Sequence, residues 1–391
     1  MISFGFASFP DEFNAIGNEA EKEYREHGVF FLKEEYIKAV NAKASAFVNT
    51  EAALIEAARA VSADENAAKY ALFVYRAMKD RALTEKHLAS FVFPERDFPF
   101  LAALVFLPYI DEIFDTLTKK GFPEKVIHAT ISQFENCIYL NEERAGWLGL
   151  GKRYFDHLQR YVDYRILNIG RLRFEIYKNK DAYLLESLKT GEQILFLEGG
   201  EMNAEGLYSD TPPINDDPCF SAFFRESNEF FEGTPIGEDG RCKITPIKLS
   251  KDEYFIRLAP GDDCLGVHIP QKGALTREAC EASYKTAIEL YKKHCPELNI
   301  KAFRCHSWMM SPQLVDVLKP GSNLLEFQRP YLKYPCHTKG LDVLTFVFKM
   351  TPESYSDLPE DTSLQRELKK IYLSGGYLYE YNGIFTVQEK S

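Results

Sequence analysis

The chain has 391 residues, 45% of them hydrophobic and 27% charged, a globular composition with more length than one ordinary core accommodates, so two domains are expected. A formal net charge of -11 argues against sequence-independent binding to nucleic acid or to an anionic membrane surface, both of which draw on excess Lys and Arg. Any phosphate site must therefore be local.

Eight cysteines are scattered with no CxxC pair, and no N-terminal stretch joins a basic segment to an apolar run and a cleavage site, so reduced thiols and a cytoplasmic location are expected. The most apolar run, 98–110, is interrupted by Pro99 and Pro108 and is shorter than the ~20 residues of a membrane-spanning helix. It reads as buried core.

Up to about Arg160 the pattern is helical, with stretches at 34–47, 51–62, 65–79, 85–91, 100–119 and 124–140, Gly121 standing where a cap is needed. The aromatic and apolar spacing between Trp147 and Tyr164 predicts another helix. His87, His128 and His157 have no sequence-local ligand partner and read as surface or core histidines.

The texture changes near Ile166. Residues 166–177 predict one long strand carrying Arg171, Arg173 and Glu175 on one face, 194–197 a short strand, 198–218 a loop, and 220–231 a helix bearing Phe223, Phe224, Phe230 and Phe231. Short strands follow at 244–249 and 253–258, and Pro260-Gly261 turns the chain. Residues 263–269 then alternate, with Leu265, Val267 and Ile269 on one face and Cys264, Gly266 and His268 on the other. Thr276 is a cap for a helix whose positions Cys280, Tyr284, Ala287, Ile288 and Tyr291 keep helical spacing, and Pro296 stops it. With a strand at 300–308 this is one βαβ unit, for which parallel pairing and a right-handed crossover are expected. Beyond it lie a short helix at 311–318 capped by Ser311, strands at 324–332 and 341–348, a helix at 364–373, and a hairpin over 377–387 turning at Asn382-Gly383. The fold class is α+β: a helical domain over 1–160 and a mixed sheet with flanking helices over 161–391.

The loop before the βαβ helix turns free amides and the positive end of the dipole toward a ligand, and Lys272 and Arg277 add charge. A phosphate suits that description; turn geometry and solubility alone also place Gly and Lys in such loops. Cys264 with His268, Cys305-His306 and Cys336-His337 have no zinc spacing, so no metal is expected.

The segments Tyr164-Arg165-Ile166-Leu167-Asn168-Ile169-Gly170-Arg171-Leu172-Arg173-Phe174-Glu175, Pro260-Gly261-Asp262, His268-Ile269-Pro270 with Gly273, and Cys305-His306-Ser307-Trp308 carry a resemblance. In these the chain resembles the GNAT superfamily of acyltransferases, and more closely bacterial two-domain proteins with a helical N-acyltransferase-type N-terminal domain and a GNAT-like C-terminal domain. The resemblance covers most of the chain. It implies acyl transfer from acyl-CoA, acetyl or longer, to a small-molecule amine or other acceptor of unknown identity, with a bulge at Gly266 splaying the central strand from its parallel neighbour. It implies cofactor binding by Gln271, Lys272, Gly273, Ala274, Thr276 and Arg277. The titratable candidates near such a cleft are His268, His306, Glu253 and Cys305, with a structural reading standing beside the catalytic one. Two departures stand out: Gly273 follows Gln271 by two positions where the superfamily has three, and 311–318 lacks the tyrosine that often protonates the thiolate. They support a rival reading, a binding or scaffold protein that keeps the fold without the catalysis.

Overall fold

The structure is a computed structural model and describes residues 2–213, 219–271 and 273–387. The chain divides into two compact units, Met1–Ile169 and Gly170–Ser391.

The first unit opens with a small ribbon of β1 (Ile2–Ser3) and β2 (Ser8–Phe9). Nine helices follow among its described residues: α1 (Asn14–His27), α2 (Glu34–Ala44), α3 (Glu51–Ala63), α4 (Glu65–Ala77), α5 (Arg81–Lys86), α6 (Leu101–Lys119), α7 (Glu124–Ile131), α8 (Gln133–Ala145) and α9 (Lys152–Leu158). Their placement follows sequence. Asp64 caps α4 by accepting from the Ala67 amide at 2.9 Å, and Gly121 takes a φ of 81° just past α6. α4 and α6 are the most buried, and edge-on contacts among Phe9, Phe13, Phe73 and Phe91 bind the N-terminal ribbon to α4. Helix α1 is additional to the expected set, and the expected run 124–140 is two helices, α7 and α8. The unit ends on β3 (Ile166–Ile169).

The second unit is built on a sheet that includes β4 (Leu172–Lys178), β12 (Asp263–His268), β13 (Ile300–Ser307), β14 (Leu332–Pro335) and β15 (Tyr381–Thr386), in the order β14-β15-β13-β12-β4. β12 and β13 are parallel and every other neighbour in that run is antiparallel. Helix α10 (Arg277–His294) connects the parallel pair, capped by the Thr276 hydroxyl on the Ala279 amide at 3.3 Å. Beside these lie β5 (Ala182–Ser187) and β6 (Gln193–Leu197) paired with β11 (Tyr254–Leu258), and a four-stranded sheet of β7 (Gly199–Met202), β8 (Phe220–Glu226), β9 (Phe230–Gly233) and β10 (Ile247–Ser250). Leu184, Leu195, Leu197 and Leu258 pack with Cys264, Ala302, Tyr334 and Ile384 in one core. A satellite core around Trp308, Val343 and Tyr372 holds α11 (Leu314–Val317), α12 (Asn323–Gln328) and α13 (Ser363–Leu373).

Several expectations are corrected. The strand over 166–177 breaks at Gly170, which has a φ of 64° and lies so close to α10 that a Cβ there stands 2.6 Å from the Ser283 hydroxyl; Arg171 therefore sits in a turn. Residues 220–231 form the β8–β9 hairpin instead of a helix, because phenylalanines at 223, 224, 230 and 231 suit a pleated surface as well as a helical stripe, and the Ser227 hydroxyl closes the turn on the Phe230 amide at 3.0 Å. The loop expected over 198–218 contains β7, and its residues 214–218 lie outside the described residues. Residues 324–332 hold α12 where a strand was expected, since Leu324, Phe327 and Gln328 keep spacings of three and four. The short helix expected from Ser311 begins at Leu314, and the expected strand over 341–348 is a wide helical turn, Leu344–Phe348. The hairpin over 377–387 is one strand: Asn382 and Gly383 pair with His306 and Cys305 in mid-ladder. Gly383 is there for space, since a Cβ would lie 2.7 Å from the Met310 sulfur and 2.9 Å from the Tyr331 ring.

Candidate functional site

The register of β12 opens the site. Its parallel pairing to β13 runs Cys264 to Ala302, Leu265 to Phe303 and Gly266 to Arg304, and stops there. β12 nevertheless continues on β4 to His268, and β13 continues on β15 to Ser307. The two strands part beyond Gly266 and Arg304, leaving a wedge between their carboxyl ends. The register shift lies between Asp263 and Cys264, where Lys301 is the extra residue in β13, so the bulge expected at Gly266 is displaced to the start of the pair.

Alternation puts Cys264, Gly266 and His268 on the same face as Ala302, Arg304 and His306, and the antiparallel register adds Arg173, Glu175 and Tyr177 from β4. The opposite face, with Phe174, Phe303 and Phe385, packs against Tyr284 of α10. The wedge is thus polar on one face and aromatic on the other.

His268 stands on the β12 lip. Its Nε2 lies 2.9 Å from Glu175 Oε2; the imidazole is 37% exposed and the carboxylate 13%. A largely buried carboxylate against an accessible imidazole fixes the orientation of the ring.

His306 stands on the β13 lip. Its side chain reaches solvent, yet it is so surrounded that desolvation, followed by the Arg304 guanidinium, lowers its pKa against an opposing pull from Asp342 and Asp181. Arg304 itself is 11% exposed and fully engaged: Nε donates to Tyr334 Oη at 3.1 Å, Nη2 to Asp181 Oδ2 at 2.9 Å, and Nη1 to the Tyr177 hydroxyl. Burial works to discharge it, and Tyr334, Asp181 and Tyr177 outweigh that, so its pKa is raised.

The phosphate-type loop ends at Thr276. Gly273 has a φ of 96°, a conformation for which glycine is the natural residue. Gln271 and Ala274 are exposed, Arg277 pairs with Glu281 at 2.6 Å, and Lys272 lies outside the described residues. Glu253 stands apart from this grouping: it is on the turn before β11, where its carboxylate pairs with Lys189 at 2.8 Å and is held below the usual range by that lysine. Among the described residues no group of three or more His, Cys, Asp or Glu side chains converges as metal ligands, and all eight cysteines are free. No described helix is long and apolar enough to cross a membrane. A cavity of about 250 Å³ in the helical unit is lined in part by Glu21 and Lys69, but these already pair with each other at 3.0 Å.

Glu175, Arg171 and Arg304 are the residues sequence reasoning missed as site components. Polar residues at 173, 175 and 304 alternate with Phe174, Ile176 and Phe303 in otherwise apolar strands, which was the available signal.

A splayed parallel pair joined by a helix, with an amide-rich loop at its start, defines a GNAT-like acyltransferase fold. The chain belongs to the family described as the GNAT-like C-terminal domain, whose model matches residues 166–385. An acyltransferase in complex with decanoyl-CoA and teicoplanin is similar in structure at 16% identity, with a TM-score of 0.55, covering 96% of this chain and 94% of its own. A mutant acyltransferase in complex with octanoyl-CoA is similar at 15% identity and a TM-score of 0.56, covering 90% and 99%. At such identities the likeness is one of fold, and it runs through the helical unit as well as the sheet. No curated protein matches the chain.

Proposed function

We propose that the chain is an acyl-CoA-dependent N-acyltransferase, in which residues 1–160 are the N-acyltransferase-type helical domain and 161–391 the GNAT-like catalytic domain. The observation that carries this is the wedge itself, with His268 and Glu175 paired at 2.9 Å on its polar face. A thioester carbonyl lying in the wedge meets strand amides that lost their ladder partners when β12 and β13 parted, and these suit a developing oxyanion. His268 takes the proton from the incoming amine while the C–N bond forms, and Glu175 stabilises the imidazolium. As the C–S bond breaks, the imidazolium returns that proton to the thiolate, leaving an amide and CoA. The phosphates of the cofactor rest on the loop of Gln271, Lys272, Gly273 and Ala274 and on the amide end of α10 at Thr276 and Arg277. The acceptor is an amine, and teicoplanin, present in one structural neighbour, is a first probe.

A thermal-shift titration with acetyl-, octanoyl- and decanoyl-CoA tests the binding step, since a ligand of the folded state raises Tm. Acyl transfer to a panel of amines then tests the chemistry. No shift with any acyl-CoA overturns the reading; a shift without transfer to any amine favours the scaffold alternative.

A further inference from the structure

We infer that Arg171 is a positioning residue that presets the cofactor loop, an inference that rests on the reading just given. Arg171 occupies the turn between β3 and β4. Its backbone amide donates to the Ser283 hydroxyl at 2.8 Å, and that hydroxyl donates to Ala279 O in the first turn of α10, also at 2.8 Å. The side chain reaches back over the loop that precedes the same helix. Nε donates to Ala274 O at 3.0 Å, and Nη2 donates to Pro270 O and to Gly273 O, each at 2.9 Å. One guanidinium thus collects three carbonyls from a short loop.

The consequence is geometric. A trans peptide holds its C=O and N–H on opposite sides, so carbonyls of 270, 273 and 274 turned toward Arg171 send the amides of Gln271, Ala274 and Leu275 away from it. None of these amides has an acceptor among the described residues, nor have those of Arg277 and Glu278 at the start of α10, whereas the Ala279 amide is taken by Thr276. A set of donors aimed one way is what an anion needs, and orienting peptides in advance spares the ligand that cost. Gly273 completes the device: a Cβ on it would touch Arg171 Nε at 3.5 Å, in a backbone conformation that side chains resist. A lysine at 171 supplies a point charge and lacks the planar fork that spans three carbonyls.

The test compares wild type, Arg171→Met and Arg171→Lys, each checked for folding by its melting curve, with calorimetric titration of CoA and of phosphate-free acyl-pantetheine. Arg171→Met is expected to weaken CoA at least about tenfold, Arg171→Lys less, with acyl-pantetheine affinity unchanged. Unchanged CoA affinity in a folded variant overturns the inference, and so does equal weakening of acyl-pantetheine or failure of both variants to fold, each marking a purely structural arginine. If wild type binds no CoA, the function proposed above falls and this inference with it, an outcome distinct from the others.

Discussion

The two lips of the wedge carry the same residue on the same face, yet their surroundings differ. His268 meets a carboxylate at 2.9 Å, whereas His306 lies beside a buried guanidinium that helps to lower its pKa. The lesson is that two histidines on equivalent strand ends are placed for different work: the β12 lip presents an imidazole oriented by a carboxylate, and the β13 lip holds one that desolvation, helped by Arg304, keeps from the charged form while Arg304 ties that part of the sheet together.

His268→Ala is the most direct way to break this contrast, with acyl transfer expected to fall about 10²-fold or more and Tm little changed. Full activity in the folded variant would move the base elsewhere. Arg304→Met tests the other lip, and chemical denaturation should show a loss of about 3 kcal/mol, since Asp181 and two tyrosine hydroxyls lose a shared, largely buried partner. A loss within error would mean that solvent already serves Asp181. Glu175→Gln keeps shape and removes charge; a drop in kcat of about tenfold with unchanged CoA affinity is expected, and no drop would reduce Glu175 to a spacer.

The smallest effect concerns His306 and pH. Its folded pKa lies below the ordinary 6.5, so below that value the unfolded chain binds the proton more readily and acidification favours unfolding. The sign is therefore stability held above 6.5 and lost as pH falls through the folded value. His306→Gln should lose less Tm between neutral and mildly acidic pH than wild type; an identical pH dependence would show that the imidazole is not desolvated in the folded state.

The βαβ unit was legible because its signals are local: alternation over 263–269, a capping threonine and a stopping proline need no distant partner. Phe220–Glu226 and Phe230–Gly233 misled because paired aromatics satisfy two periodicities, and the choice is made by neighbouring strands. Asn382-Gly383 misled for the opposite reason, a strong local turn signal overridden by the space that Met310 and Tyr331 leave. Both wedge histidines were visible in the sequence, but Glu175 became a candidate only once β4 lay beside β12, a pairing across about ninety positions. The carbonyls collected by Arg171 carry no sequence signal at all.

Lys301 marks where one strand of the parallel pair carries a residue more than the other. With Lys301 bulged out, Gly266 faces Arg304 across the parallel pair; a regular ladder running on from Asp263 and Ile300 with Lys301 kept in it would set Gly266 against Phe303 and carry the frame of the strand one step on. Phe303 and Cys305 would then face the cleft while Arg304 and His306 turned under α10, so it is the bulge that keeps Arg304 and His306 on the polar face. Homologous chains that vary in length should place their changes in the connections around this strand or at the bulge itself and keep the count from Ala302 to Ser307 fixed.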